Sequence, residues 1–271
     1  MYSGTTFRHD SGNIVGVHQA IDRAARRHLK KYIDKATPFP LISQILHFEG
    51  KNGPDGIKRK SPSKDEPWHY IDPANENDTS LIGIMNDHMV NLSQALTDDN
   101  NERAAFEAAW LAHAIVDGLT PAHHYPLNDK IEELWGKPHH ERTTIKDKNI
   151  IKGSNRRDTL SKNWQYWGSG GVFTAHIGFE LGVASTIASL RFNDALPTEA
   201  DIQRVETEGF EATFMRALRT VDALKMYDAF GKKGWTRKLA TQTRKVLIPE
   251  IIKTVCLAWY CAAVTPRGAR K

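Results

Sequence analysis

Apolar residues recur through most of this chain at the three-to-four-residue spacing of amphipathic α-helices, whereas alternating strand patterns are sparse. Asp78-Thr79 and Pro197-Thr198-Glu199 supply cap residues ahead of such periodic stretches, which marks them as helix starts. The pattern predicts an all-α fold. The predicted helices span residues 13–35, 38–48, 79–97, 101–119, 172–191, 199–229 and 236–264.

These helices are predicted to form a single multi-helix domain over residues 1–271, because no internal repeat or linker divides the chain. Two long segments, 49–78 and 137–170, lack helical periodicity and are predicted to be irregular. The second contains eight Lys or Arg against three Asp or Glu, and it includes Trp164 and Trp167. It is expected to be either a lid that binds phosphates and stacks bases or a solvated insertion anchored by its aromatic residues.

Charge favours an anionic partner, since the chain carries a formal net charge of +5. Phospholipid headgroups, nucleic acid and small phosphate esters all fit this charge, and so does a simple role in solubility. The most apolar run, 246–264, is interrupted by Pro249, Glu250 and Lys253, which leaves too short a span to cross a bilayer. A buried core helix is therefore expected there, with no transmembrane segment.

The start of the chain is polar over residues 1–30 and lacks the apolar core of a secretory signal. Cys256 and Cys261 stand five apart on one predicted helix, a spacing that does not favour an intrachain disulfide. A cytoplasmic protein is expected, or a secreted one if an export signal is missing from this sequence.

Segment 110–126, WLAHAIVDGLTPAHHYP, concentrates metal-binding residue types in an apolar setting. His113 and Asp117 stand four apart, so on a helix they project from one face. Pro121 and the glycine before it should end or kink this helix and turn His123 toward the same pocket. The segment therefore predicts part of a metal site.

One histidine followed four residues later by an acid proves little, because roughly one such pair is expected by chance in this composition. A lone pair is more typical of a histidine that packs a helix beside a solvated acid. This chain has three pairs, and His69 adds a further imidazole, so together they favour a metal site. The pairs are His18/Asp22, His113/Asp117 and His176/Glu180.

The order of these residues resembles the zinc-dependent phospholipase C and P1/S1 nuclease superfamily over roughly residues 12–190. The most specific part is AHAIVDGLTPAH, in which a proline lies two residues before the second histidine. The resemblance implies an all-helical protein with zinc ions at the bottom of a cleft, which hydrolyses phosphate esters of phospholipids or single-stranded nucleic acid.

Carried over residue by residue, the resemblance implies two zinc sites built from seven side chains. The first would be held by Asp55, His69, His113 and Asp117. The second would be held by His123, His176 and Glu180.

A third zinc is implied in the family by a bridging carboxylate, a histidine, and the amine and carbonyl of an N-terminal tryptophan. Asp117 and His18 match the first two, but this chain begins with Met1. The third ion is therefore left open: His9 or Asp10 could replace the missing ligand, or only two ions bind.

Imidazole nitrogens and carboxylate oxygens without thiolates are typical of catalytic zinc, which keeps open positions for water. Zinc lowers the pKa of bound water to about 7 and, in paired sites, stabilises both the attacking and the leaving oxygen. Asp55 is the candidate to orient or deprotonate the attacking water. Asp22, Asp72 and Asp87 could support ligating histidines, but they are expected to be surface acids.

The expected function is a zinc-dependent phosphodiesterase of phospholipase C type with two to three Zn²⁺, in which a metal-bound hydroxide attacks the phosphodiester. Glu180 supports this branch, because nucleases of the family more often have aspartate at that position. A single-strand-specific nuclease of P1/S1 type is the alternative. A non-catalytic, zinc-containing binder of anionic membranes or nucleic acid is a third possibility, and no protein partner is implied.

Overall fold

The periodic apolar segments form helices in the computed structural model, which describes residues 1, 16–56, 70–124, 127–138, 141, 144, 150–168 and 171–264. No strand occurs among these residues, so the all-α prediction is confirmed. The helices are α1 Val17–Leu29, α2 Ile42–His47, α3 Ser80–Thr97, α4 Asn101–Gly118, α5 Leu127–Trp135, α6 Arg156–Trp167, α7 Val172–Ile187, α8 Glu199–Asp222, α9 Met226–Lys233, α10 Arg237–Gln242 and α11 Ile248–Val264.

Helix α11 lies at the centre of the apolar core and packs against α1, α3, α4 and α8. Its Trp259 is fully buried, and the indole N–H donates to the carbonyl of Ala108 on α4 at 3.0 Å. A π-helical turn, Thr243–Leu247, joins α10 to α11. These contacts anchor α1 and α4, which carry candidate ligands, to one rigid core.

The continuous helical stretch Arg237–Val264 is the one part of the described chain long and apolar enough to cross a membrane by length and composition. Of the 18 consecutive residues with the highest hydropathy in this stretch, 67% are buried inside the protein. The core helix of a soluble protein meets the same criterion.

Predicted helix boundaries are shifted where the backbone needs an unusual conformation. The stretch predicted as one helix over 199–229 is two helices, because Lys225 adopts a left-handed conformation with φ of 47° between α8 and α9. Gly209 inside α8 also departs from helical geometry, with φ of 85°. The predicted start at Thr198 is confirmed, since its hydroxyl accepts a hydrogen bond from the backbone N–H of Asp201.

The prediction that 137–170 is irregular is wrong for its second half, which forms α6. Asn155 caps this helix by accepting a hydrogen bond from the backbone N–H of Asp158 at 2.9 Å. The amide of Asn163 then ties α6 to the backbone of Ile151, with contacts of 3.1 and 2.7 Å. Tyr166 is the one residue of this helix that is buried. The helix therefore lacks the repeating apolar positions by which a helix is recognised in a sequence.

Candidate metal centre

Three helices and one short turn bring six of the predicted ligands together in the protein interior. Helix α1 supplies one histidine, α4 a histidine and an aspartate, the 3₁₀ turn Pro121–His123 a histidine, and α7 a histidine and a glutamate. The six residues are His18, His113, Asp117, His123, His176 and Glu180.

The predicted break after α4 is confirmed. Helix α4 ends at Gly118, where an added Cβ would lie only 2.6 Å from the side chain of Leu81. Thr120 then donates its hydroxyl to the carbonyl of Val116 at 2.7 Å, and Pro121 begins the 3₁₀ turn. This turn brings His123 back to within 3.7 Å of the Asp117 carboxylate, measured from Nδ1 to Oδ1.

The first donor group consists of His18, His113 and Asp117, all of them buried. The two imidazole rings stack with centroids 4.2 Å apart. Each faces a different oxygen of the aspartate: His18 Nε2 lies 3.3 Å from Oδ1, and His113 Nε2 lies 3.1 Å from Oδ2. A carboxylate that bridges two metal ions needs this division of its oxygens.

The second donor group consists of His123, His176 and Glu180. His176 and Glu180 stand one turn apart on α7, with Nε2 and Oε1 3.1 Å apart. The Nε2 atom of His123 lies 3.2 Å from the same oxygen. The two imidazole rings are stacked at a centroid distance of 5.0 Å. All three donors therefore converge on one small volume.

The main-chain atoms of Met1 lie between the two donor groups. Its amine is 2.5 Å from Asp117 Oδ1 and 3.4 Å from Glu180 Oε1, and its carbonyl is 2.9 Å from His18 Nε2. The sequence left the third ligand open because the chain begins with methionine, and the structure places the amine and carbonyl of Met1 beside Asp117 and His18. An amine and a carbonyl are main-chain groups, so a methionine presents them equally well.

Of the two remaining predicted ligands, the structure describes one, Asp55, which is not part of either group. Asp55 lies at the edge of the first group, with its Oδ1 3.9 Å from His113 Nε2 and its side chain 27% exposed. His69 lies outside the described residues, as do His9 and Asp10. The pairing of Asp55 and His69 in a first zinc site therefore stays a prediction.

Both carboxylates of the donor groups are held in their ionised form. Burial alone would raise the pKa of Asp117, but the Met1 ammonium group and the neighbouring imidazoles lower it well below its usual range. Glu180 shows the same balance, with the pKa lowered by the Met1 ammonium group and His176. Ionised carboxylates are the form that binds metal ions.

The two donor groups differ in the pKa of their histidines. Burial lowers the pKa of His113, but the carboxylates of Glu49 and Asp117 outweigh it and raise this pKa well above 6.5. Burial and the Met1 ammonium group lower the pKa of His123 to about 4, against the pull of Asp117. In the metal-free protein at neutral pH, His113 is thus protonated and His123 is neutral.

Zinc binding to the first donor group should therefore release a proton. A metal ligand must be a neutral imidazole, so zinc has to displace the proton of His113, whereas His123 has none to lose. Affinity for the first ion should rise with pH until the raised pKa of His113 is passed. Calorimetric titration with zinc in buffers of different ionisation enthalpy measures this release; a buffer-independent heat at pH 7 would contradict it.

Glu49 is a functional candidate that sequence reasoning missed. It is fully buried, and its Oε1 lies 2.9 Å from His113 Nδ1 and 3.8 Å from His18 Nδ1. A carboxylate on Nδ1 fixes the ring orientation and leaves Nε2 directed at the metal. The only sequence signal is a glutamate at the end of an apolar stretch, and nothing in its spacing connects it to His113.

Replacing Glu49 with Ala should weaken zinc binding by about 10- to 100-fold, the usual loss when such a support is removed. Glu49→Gln should lose less, because its amide oxygen can still accept from His113. Exposed Glu76 provides the matched control as Glu76→Ala. Competition with a fluorescent zinc chelator measures the affinities. Equal affinities for Glu49→Ala and Glu76→Ala would mean that Glu49 does not hold the ring.

The expectation that Asp22 is a surface acid is wrong, whereas Asp72 and Asp87 are exposed as expected. Asp22 is buried on α1 one turn after His18, and neither of its oxygens has a hydrogen-bond partner within the described chain. Burial and the nearby charge of Glu49 raise its pKa well above the usual range. The pattern of α1 alone does not reveal this, because burial of this face depends on the helices packed against it.

Comparison with known proteins found no matching family model, no matching curated protein and no matching solved structure. What the site could bind is therefore inferred from its donor atoms alone. Four imidazoles and two carboxylates form two buried groups that could hold metal ions. Nitrogen and oxygen donors without a thiolate suit several divalent transition metals, zinc among them.

Proposed function

We propose that the protein is a zinc-dependent phosphodiesterase of phospholipase C type. The observation that carries the proposal is the position of Asp117, an ionised, buried carboxylate whose two oxygens face different partners. A second donor group lies beside it, with His123 Nδ1 only 3.7 Å from Asp117 Oδ1. Adjacent sites of this kind are typical of enzymes that cleave phosphate esters.

Two to three Zn²⁺ ions are proposed, held by the two donor groups and by the Met1 main chain beside Asp117. Bound zinc supplies Lewis-acid stabilisation of phosphate oxygens and a water of lowered pKa. The donor set fits this metal because its imidazoles and carboxylates converge within 4.8 Å in each group. For the Met1 amine, whose pKa is raised to about 10 despite its burial, binding a metal requires loss of its proton.

Asp55 is the proposed proton acceptor. Unlike the buried ligands around it, its side chain is 27% exposed and can therefore meet both solvent and substrate. Its carboxylate lies 3.9 Å from His113 Nε2, so it borders the first donor group without being enclosed by it. From this place it can orient the attacking water and take up its proton.

Tyr70, whose ring centroid is 5.3 Å from that of His123, borders the second donor group.

The substrate class is proposed from the second donor group, in which glutamate and not aspartate follows His176 by one turn. This choice resembles the phospholipase C branch. A single-strand nuclease is the second candidate, and it is favoured by Trp164, which is 71% exposed near several basic residues and could stack on a base. A non-catalytic binder would need neither the second donor group nor an open coordination position.

Zinc content and hydrolysis measured on one preparation test the proposal. Elemental analysis should find two to three zinc ions per chain, and a chromogenic phosphodiester should be hydrolysed in a reaction that EDTA stops and zinc restores. A panel of phospholipids and single-stranded DNA then separates the two substrate classes. Less than one zinc per chain together with no EDTA-sensitive hydrolysis would overturn the enzyme assignment.

A further inference from the structure

Helix α6, Arg156–Trp167, presents large apolar side chains to solvent along one face. Leu160, Trp164 and Trp167 stand four and three residues apart, so they project from the same side of the helix. They are 72%, 71% and 42% exposed, and the first two are the most exposed of the large apolar side chains in the described chain. Large apolar side chains that are exposed along one face of a helix, and not scattered singly, are typical of an interaction site.

The same helix is cationic. Arg156 and Arg157 are exposed in its first turn, and Lys152 is exposed just before it. Its acid, Asp158, already accepts hydrogen bonds from Ser154 and lies 3.7 Å from Lys162. The exposed end of α6 therefore offers positive charge beside its apolar face.

The other side of α6 packs against α7 and holds the helix in place. Tyr166 is buried, and its ring stacks on Phe173 of α7 with centroids 5.3 Å apart. Phe173 also meets Trp167 edge-on at 4.8 Å. The amide of Asn163 ties the middle of the helix to Ile151. The exposed side chains are therefore presented by an anchored helix.

We infer that this face of α6 is a docking surface for an anionic lipid bilayer. Tryptophan and leucine side chains can enter the boundary between headgroups and acyl chains, while arginine and lysine contact lipid phosphates. Single-stranded nucleic acid fits less well, because the most exposed apolar residue, Leu160, is aliphatic and offers no ring on which a base could stack.

Helix α6 packs against α7, which carries His176 and Glu180 of the second donor group. Phe173, which contacts the inner side of α6, lies three residues before His176 on α7. That a lipid then reaches the metal centre as substrate rests on the proposed function, whereas the docking itself does not.

Co-sedimentation with vesicles tests the docking surface. The full chain should bind vesicles of phosphatidylglycerol and phosphatidylcholine, and bind pure phosphatidylcholine more weakly. Trp164→Ser and Leu160→Ser should each reduce binding by roughly tenfold, because each removes an inserting apolar side chain. Replacing Arg156 and Arg157 with Ser should reduce binding to the anionic vesicles only, by roughly tenfold or more.

Val90→Ser is the control, because Val90 is an apolar residue that is 45% exposed on α3, a helix without Lys or Arg. It should bind vesicles as the unaltered protein does, and thermal melting should show that every variant is folded. Equal loss in Val90→Ser and Leu160→Ser, no vesicle binding by the full chain, or loss of single-stranded DNA binding alone in Trp164→Ser would each overturn the docking surface.

The two proposals fail in different ways. Hydrolysis of the soluble phosphodiester without vesicle binding would overturn the docking surface and leave the proposed function standing. Vesicle binding that depends on Leu160 and Trp164, by a protein with neither zinc nor hydrolytic activity, would support the docking surface and overturn the enzyme assignment.

Discussion

Asp117→Asn is expected to remove most of the bound zinc and to lower phosphodiester hydrolysis by at least about 100-fold. The reason is the position of this carboxylate, which lies within 4 Å of His18, His113 and His123 and contacts the Met1 amine. An amide has one oxygen and no charge, so it cannot bridge two cations. Elemental analysis and the chromogenic assay, run on the same sample, measure both losses.

The same substitution should destabilise the metal-free protein. Removing one partner of a buried ion pair costs about 3–5 kcal/mol, since the remaining cations of Met1 and His113 keep their desolvation penalty. The folded pKa of Asp117 lies below its ordinary value of 3.8, so its stabilising effect is present above that pH and is lost as pH falls through the folded value. Urea unfolding of the metal-free proteins at pH 7 and pH 3 measures this difference, which should shrink at the lower pH.

Asp87→Asn is the matched control, because Asp87 is an exposed aspartate on α3. It should retain its zinc, its activity and its stability. If Asp117→Asn behaves like Asp87→Asn in zinc content and rate, then Asp117 does not bridge two metal ions. Asp22 is unsuitable as a control, since the structure buries it next to the charge of Glu49.

Local spacing made much of the candidate centre predictable. His113 and Asp117, like His176 and Glu180, stand four apart on a helix, and this spacing alone places each pair on one face. Pro121 predicts the turn that places His123 near these residues. Such features depend on a few neighbouring residues, so the sequence expresses them directly.

Contacts between distant segments could not be predicted in this way. Glu49 and His113 are 64 residues apart, and their hydrogen bond exists because α1, α2 and α4 pack together. Asp22 occupies a position on α1 that a polar surface residue could equally take, and only the packed neighbours decide its burial. Sequence patterns report periodicity within an element, whereas these side chains owe their roles to the arrangement between elements.

Two features that were not predicted from the sequence have separate physical causes. The third zinc ligand was left open because the chain begins with methionine and not with tryptophan, although the contacts at Asp117 and His18 are made by main-chain groups that Met1 also has. Helix α6 was missed because its apolar residues face solvent, so its capping by Asn155 defines it more clearly than its periodicity does.

Glu180→Gln is expected to remove about one zinc ion per chain and to leave the first donor group loaded. Glu180 Oε1 lies 3.1 Å from His176 and 3.2 Å from His123, the two histidines of its own donor group, and 3.4 Å from the Met1 amine. Hydrolysis should fall by about 100-fold or more, because one ion cannot stabilise both the attacking and the leaving oxygen.

Comparing the zinc content of Glu180→Gln and Asp117→Asn shows whether the two donor groups bind zinc separately or as a single site. Partial zinc content in the first variant and near-complete loss in the second would support a separate ion at Glu180 and a bridging role for Asp117 among the remaining ions. Glu211→Gln, at an exposed position on α8, should retain full zinc and activity. If Glu180→Gln lost all zinc, the two donor groups would behave as a single site, and the proposed division of ligands between them would be wrong.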